Sequence, residues 1–317
     1  MGRRFAAIVA LAIAAVAVSP LLVAARSPEQ VDTSVVAPVN ATAITAANSD
    51  SVIGALPGTA AAAAALASIA RVVALQQLVA DSGASAGITV VELGGSRPVR
   101  WTVDGGVAFS AASTYKLVAL MMEAENIASG ATDPNGLVCY DPSDYEAGWF
   151  DDYEPGVCFT RYELAARAGQ QSDNTAGHML VRDVGGVDAL NAWAASIGTT
   201  NSEFFVGNTT TADDLAVLWA AEAKGELGGA AAQAWLYPIL TGTTTEQGVP
   251  AGIPAGLTVV HKTGAVDSVV NDPALVTSGP DGPYVVVVTT DGLGGAPAWG
   301  LIASISALVW QAEESRL

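Results

Sequence analysis

Strand patterns near both ends of this chain enclose a long stretch of helical pattern, and that order leaves few ways to fold. Near the start an Ala-rich helix former, Ala60 to Ala80, breaks at Asp81-Ser82-Gly83. A strand follows from Ile88 to Leu93, then a turn at Gly94-Gly95-Ser96-Arg97-Pro98 and a returning strand from Val99 to Val103. Near the end come strands over Leu257 to Lys262, Ala274 to Thr277 and Tyr284 to Thr290, and then an amphipathic helix, Pro297 to Glu313. Between them, helices are expected over Arg161 to Arg167, Ala176 to Asp183, Val187 to Ser196 and Ala212 to Lys224, the last capped by Thr210 or Thr211, so that 113–245 is largely helical. The fold class is α/β (α+β). The two ends should build one antiparallel sheet flanked by the terminal helices, with the helical insertion as a second lobe and a cleft between the two. Residues 59–317 read as that domain.

The N-terminal region is of another kind. Arg3 and Arg4 precede an apolar run from Phe5 to Ala25, broken only by Ser19 and Pro20, which reads as an export signal over 1–26. Uncleaved, the run is long enough to span a bilayer as an anchor. Residues 27–58 are rich in Ala, Thr, Ser and Pro without helical or strand period, as in a disordered linker. The expected location is outside the cell, secreted or held on the outer face of the cytoplasmic membrane. With 13 basic and 31 acidic residues, three of the basic ones inside the export segment, nucleic acid is excluded as a partner. Cys139 and Cys158, an even pair in an exported chain, are expected to form a disulfide, the alternative being two buried free thiols. Such a bond is worth about 3 kcal/mol in the chain-entropy model.

The candidate chemistry begins at Ser113-Thr114-Tyr115-Lys116. If a helix starts near Ala112, Ser113 and Lys116 share one face, so the amine can reach the hydroxyl. A serine needs such a base to become a nucleophile, and a desolvated lysine can serve. Gly83-Ala84-Ser85-Ala86-Gly87 matches the G-x-S-x-G elbow, but the elbow needs a strand before it and a helix after it, and here the order is reversed; Ser85 reads as a loop residue. The acids between the cysteines, from Asp141 to Glu154, lack the strict oxygen-ligand pattern of a calcium loop and read as a pinned surface excursion. His178 and His261 stand isolated, which makes a poor metal site. No metal or other cofactor is expected.

Two more short motifs follow in order: Ser172-Asp173-Asn174 at a helix start, 59 residues after Ser113, and Lys262-Thr263-Gly264 at a strand end, 90 residues further on. Together the three resemble the class A β-lactamases and the related penicillin-binding D-alanyl-D-alanine peptidases. The resemblance runs from about Ala60 to Leu317 and includes Asn208-Thr209-Thr210-Thr211-Ala212-Asp213. It implies the β-lactamase/D-alanyl-D-alanine peptidase-like fold and a role for each residue. Ser113 is acylated, Lys116 accepts its proton, and Ser172 relays a proton to the leaving nitrogen. Asn174 holds Lys116 and the substrate amide, Lys262, Thr263 and Gly264 form the carboxylate side, and the N–H groups of Ser113 and Ala265 form the oxyanion hole.

The chain also departs from that pattern. The family's Ω-loop glutamate, which activates the deacylating water, has no counterpart in the short segment from Ile197 to Asn208, whose one acid, Glu203, is the candidate surrogate base. No arginine occurs between Arg182 and Arg316 to help bind a substrate carboxylate. Three readings follow: a monomeric secreted serine hydrolase turning over β-lactams, a cell-wall peptidase acting on peptidoglycan stem peptides, or a penicillin-binding module that does not complete turnover.

Overall fold

In the computed structural model, which describes residues 57–95 and 98–315, helix α1 (Pro57–Ser82) stops at Gly83, whose φ of +74° suits glycine. It leads into strands β1 (Ser85–Glu92), β2 (Arg100–Val103) and β3 (Ala108–Ser110). A 3-10 turn, Ala112–Thr114, opens helix α2 (Tyr115–Ala128). The pair β4 (Leu137–Cys139) and β5 (Cys158–Thr160) flanks the loop between the cysteines, followed by α3 (Arg161–Gln170), α4 (Asn174–Asp183) and α5 (Gly186–Ile197). Then come β6 (Thr209–Thr211), α6 (Ala212–Ala223) and α7 (Gly229–Leu236). The chain ends with β7 (Val259–His261), β8 (Gly264–Val266), β9 (Val269–Val276), β10 (Tyr284–Asp291) and α8 (Gly295–Glu314).

The main sheet has the order β2-β1-β10-β9-β7, with β8 also paired to β9, and every pairing is antiparallel. Ends remote in sequence therefore meet in its middle, where Ser85 lies opposite Asp291. The apolar run of β10 follows from its place: Val285 and Val287 pack into the core of the helical lobe, while Tyr284, Val286 and Val288 pack on the opposite face with α1 and α8. Helix α2 is similarly surrounded, with Leu117 to Met121 all fully buried and α3, α4, α5 and α7 packed against the helix. A polar side chain on the first turn of such a helix has nowhere to go but inward.

Several expectations shift in detail. Ser85 is the first residue of β1 rather than a loop residue, because β10 offers a partner as far as Asp291. Strand β9 starts before Ala274 and runs through Pro273. The Pro273 carbonyl accepts from Lys262 N at 3.3 Å, so its ring nitrogen faces the same side, where β7 has ended and β8 has not begun, and no ladder bond is lost. Helix α1 begins at Pro57, inside the span read as linker; the export segment 1–26 and the rest of the linker lie outside the described residues. Cys139 and Cys158 sit opposite each other on β4 and β5 and are bonded.

One buried acid gives the fold a pH dependence. Glu222, at the end of α6, is almost fully buried and accepts from the Tyr237 hydroxyl at 2.7 Å; burial pushes its pKa up to about 7. A carboxyl raised in this way contributes stability that is present below its unfolded value, 4.5, and lost as pH rises through about 7. The thermal midpoint should therefore fall over that window, and Glu222→Gln should flatten the slope. Thermal melts of both proteins across the window check this.

Candidate active site

Strand β3 delivers the chain to a constrained corner. Ala112 adopts a φ of +46°, a conformation that costs a residue with a side chain of order 1 kcal/mol, and it persists because the corner is held from three directions. Asn271 of β9 donates to Ser110 O at 2.8 Å, Asn208 Nδ2 donates to Ala112 O at 3.0 Å, and Thr114 Oγ1 donates to Ala111 O at 2.7 Å. Ser113 stands on this corner at the mouth of α2. A Cβ on Gly264 would lie 2.8 Å from Ala111 O and 3.0 Å from Ser113 N, so glycine in Lys262-Thr263-Gly264 is what lets β8 close against the nucleophile turn.

Lys116 follows one helical turn later and is fully buried. Its Nζ lies 3.0 Å from Ser113 Oγ, 2.7 Å from Asn174 Oδ1, 2.7 Å from Ser172 O and 3.4 Å from Ser172 Oγ. Helix α4 can come this near because residue 177 is glycine: a Cβ there would sit 2.7 Å from Lys116 Cε. Ser172 itself is held at φ +61° in the turn before α4, and its Oγ also accepts from Lys262 Nζ at 2.9 Å. One hydroxyl thus lies between two buried amines. Burial lowers Lys116 to about 8, with the charges of Asp173 and Glu146 working against the shift. Lys262 is driven well below its ordinary range, first by burial and then by the neighbouring Lys116, with Asp272 opposing.

Asp173 organises the turn without facing the reaction. Fully buried, it caps α4 through Ala176 N at 2.9 Å and accepts from Tyr153 OH at 2.6 Å, Trp149 N at 2.9 Å and Phe150 N at 3.3 Å. The loop between the cysteines is thereby fastened to the helix start. That loop brings Glu146 into the site, where Oε1 accepts from Asn174 Nδ2 at 3.0 Å and Oε2 lies 2.9 Å from His178 Nε2.

The cleft in front of Ser113 has a volume of about 500 Å³. Ser113, Glu146, Asn174, Phe205, Asn208 and Ala265 are among the residues that line it. Phe205 stacks edge-on against Tyr115 and His178, with ring centroids 5.2 and 4.8 Å away. Glu203 does not line the cleft. Its N–H and C=O pair with Thr209 at 2.9 and 2.8 Å, and its side chain is exposed beside Gly207, so the surrogate-base role expected for it has no geometric support. Thr263 is half-buried, its carbonyl accepting from Lys262 Nζ at 2.8 Å, and Ala265 pairs with Val270 at the cleft wall.

Chemically, the site holds a hydroxyl with an amine beside it and a second hydroxyl between two amines, with Ser113 and Ala265 both lining the cleft, where their N–H groups are the candidate oxyanion donors. Those are the parts of acyl transfer: a nucleophile, a base, a proton path and donors for a developing oxyanion. Glu146, His178, Phe205, Asn208 and Asn271 were not legible as site residues: Glu146, Phe205, Asn208 and Asn271 come from loops and a strand, His178 from α4, and Asn208 was noted only as part of a helix start. Asp173 lay inside a motif, yet its burial and its partners came only with the fold.

A model of the beta-lactamase enzyme family matches residues 70–312. Over 215 residues the chain is 31% identical to beta-lactamase AST-1 of Nocardia asteroides, an alignment covering 60% of this chain and 65% of that protein. It is 34% identical over 146 residues to beta-lactamase OXY-1 of Klebsiella oxytoca, covering 40% of this chain and 49% of the other. The chain thus spans just under two thirds of the first relative and about half of the second. The solved structure of PBP-A is 27% identical, with a TM-score of 0.70 over 76% of this chain and 96% of that one. A point mutant of PBP-A in acyl-enzyme complex with penicillin G is 28% identical, with a TM-score of 0.71 over 78% and 97% of the two chains.

Proposed function

The chain belongs to the beta-lactamase enzyme family, and from that premise we propose that it is a serine hydrolase whose Ser113 opens β-lactam rings through an acyl-enzyme. The observation that carries this reading is Lys116, fully buried, with its amine 3.0 Å from Ser113 Oγ and its pKa lowered to about 8. The neutral amine takes the Ser113 proton as Oγ attacks the lactam carbonyl carbon, and the N–H groups of Ser113 and Ala265 receive the oxyanion. The C–N bond breaks and its nitrogen takes a proton from Ser172 Oγ, which is resupplied by Lys116 or Lys262. Water then attacks the ester, and Ser113 leaves with a proton. The penicillin G acyl-enzyme of a PBP-A mutant supports the substrate class. The apolar run near the N-terminus supports an exported protein, secreted or anchored on the outer face of the membrane.

One observation favours a second reading, in which peptidoglycan stem peptides are the substrate and β-lactams are held as long-lived adducts. Glu146 is the one carboxylate among the described residues lining the cleft, and it is engaged by Asn174 and His178. A chromogenic cephalosporin, followed by absorbance and intact-protein mass together, tests both. Continuous product release with an adduct mapped to Ser113 supports the first reading. A burst equal to the enzyme concentration with a persistent adduct supports the second, and D-alanine release from a stem peptide then establishes it. No adduct on Ser113 refutes both.

A further inference from the structure

The acylation chemistry leaves one charged group of the cleft without a task. Glu146 is the one carboxylate among the described residues lining the cleft, and no lysine or arginine stands with it there. Lys116 is fully buried beneath that lining, its amine engaged with Ser113, Ser172 and Asn174. Apart from the His178 imidazole, whose Nε2 lies 2.9 Å from Glu146 Oε2, nothing basic among the described residues faces a ligand in the cleft. The cleft therefore offers a ligand an anion and no strong cation.

Glu146 is set in place before any ligand arrives. Its N–H donates to Thr175 Oγ1 at 3.1 Å and its carbonyl accepts from the same hydroxyl at 2.8 Å, so the second residue of α4 clamps its backbone. Asn174 Nδ2 donates to Glu146 Oε1 at 3.0 Å and to Ala147 O at 3.1 Å. At the other end of the same amide, Oδ1 accepts from Lys116 Nζ at 2.7 Å, and that amine lies 3.0 Å from Ser113 Oγ. One side chain thus separates the carboxylate from the amine beside the nucleophile. The Glu146 side chain is nevertheless 53% exposed. Its contacts with Asn174 and His178 leave part of a carboxylate's roughly four acceptor sites open to a ligand. A carboxylate already fixed by its neighbours loses little further freedom when it binds a cation.

We propose that Glu146 is a specificity-determining residue, which favours β-lactams carrying a primary ammonium on the side chain that extends from the ring past Asn174. The inference rests on the Ser113 acylation reading and adds to it a class of substrate. With the lactam carbonyl at Ser113, such a side chain meets Asn174 first and the carboxylate next, and the ammonium supplies the donors that the open oxygen sites accept.

The test compares two penicillins of one frame, the first with a para-aminomethyl group on its benzyl side chain and the second with that amine acetylated. An alkylamine stays protonated at neutral pH, and acetylation removes the charge. Acylation of the full chain is followed by intact mass, and the ratio of the two rates is read. The ratio is needed because Glu146 also acts on Lys116, so its loss changes acylation by every substrate. In the wild type at low salt the ammonium compound should react about three- to fivefold faster, as suits a half-exposed ion pair, and the preference should fade as salt rises to about 1 M. Glu146→Gln keeps the length of the side chain and an oxygen for Asn174. It should remove most of the preference, and what remains should not respond to salt. A ratio that Glu146→Gln leaves unchanged overturns the proposal, as does a wild-type ratio that shows no preference or ignores salt. If Glu146→Gln does not fold, the salt series on the wild type decides, a fading preference supporting the proposal and a flat one refuting it. Wild-type protein that forms no Ser113 adduct with either penicillin marks failure of the underlying reading, whereas normal adducts with an insensitive ratio mark failure of this inference alone.

Discussion

Replacing Lys116 with methionine is expected to slow acylation of Ser113 by about 10³-fold or more, because the hydroxyl then loses the base that makes it a nucleophile. In the wild type the rate should climb about tenfold per pH unit, following the neutral fraction of an amine near 8, and level off above that value. The variant should lose this limb. Stopped-flow acylation by a chromogenic cephalosporin measures both the fall and the limb, and Ser113→Ala, with no nucleophile, should give no adduct by mass. A rate that keeps its dependence near 8 in Lys116→Met would assign the limb to another group. The variant is also expected to fold. A lysine with a depressed folded-state pKa contributes stability present above its unfolded value, 10.5, and lost as pH falls through about 8, so at neutral pH the buried ammonium opposes folding. Methionine removes that penalty and keeps the length of the stem. Equal or higher thermal midpoints for the variant would show that the lost activity is chemical.

Asp173→Ala should have the largest effect on stability, about 3–5 kcal/mol, because it leaves several buried donors without an acceptor at once. Tyr153 OH and the N–H groups of Trp149 and Ala176 all lie within 3 Å of this carboxylate. For a domain of this size the thermal midpoint should drop by roughly 10 °C or more. The loss should also reach the cleft. Freed from Asp173, the loop between the cysteines keeps the bonds of the Glu146 backbone to Thr175 Oγ1 at 2.8 and 3.1 Å but should hold Glu146 less firmly against Asn174, which holds Lys116 on its second side. Circular-dichroism melts report the first effect, and acylation measured well below the new midpoint reports the second. An Asp173→Ala protein that melts like the wild type would show that the loop's other fastenings, among them Thr175 to Glu146 and Arg167 to Asp152, suffice to hold it.

How much of this could be read beforehand differs between the sheet and the site. The strand expected at Tyr284 to Thr290 stands as β10, because an unbroken apolar run between turn signals suits a strand covered on both faces. The short pair β3 and β6 was invisible. Three residues carry no period, and their partners lie about a hundred positions apart. Helix α7 was missed for a related reason: Ala-rich and preceded by glycines, its sequence shows no face, although Ala232 and Leu236 become core residues.

By itself the sequence determined the spacing of Ser113 and Lys116, since one turn of helix suffices to set a serine beside a lysine three residues later. It also determined the sheet-forming ends and the three short motifs that carry the chemistry. Tertiary structure alone decided what those residues are in physical terms. The Lys116 amine has the lowered pKa that a base needs because the first turns of α2 are buried and its side chain is fully covered. Glu203, the acid nearest in pattern to a deacylating base, was turned outward by its pairing with Thr209, while Glu146, one acid in a surface-like run, was carried into the cleft by a loop fastened to Asp173. Burial and long-range pairing depend on which distant segments meet, and no local spacing encodes that.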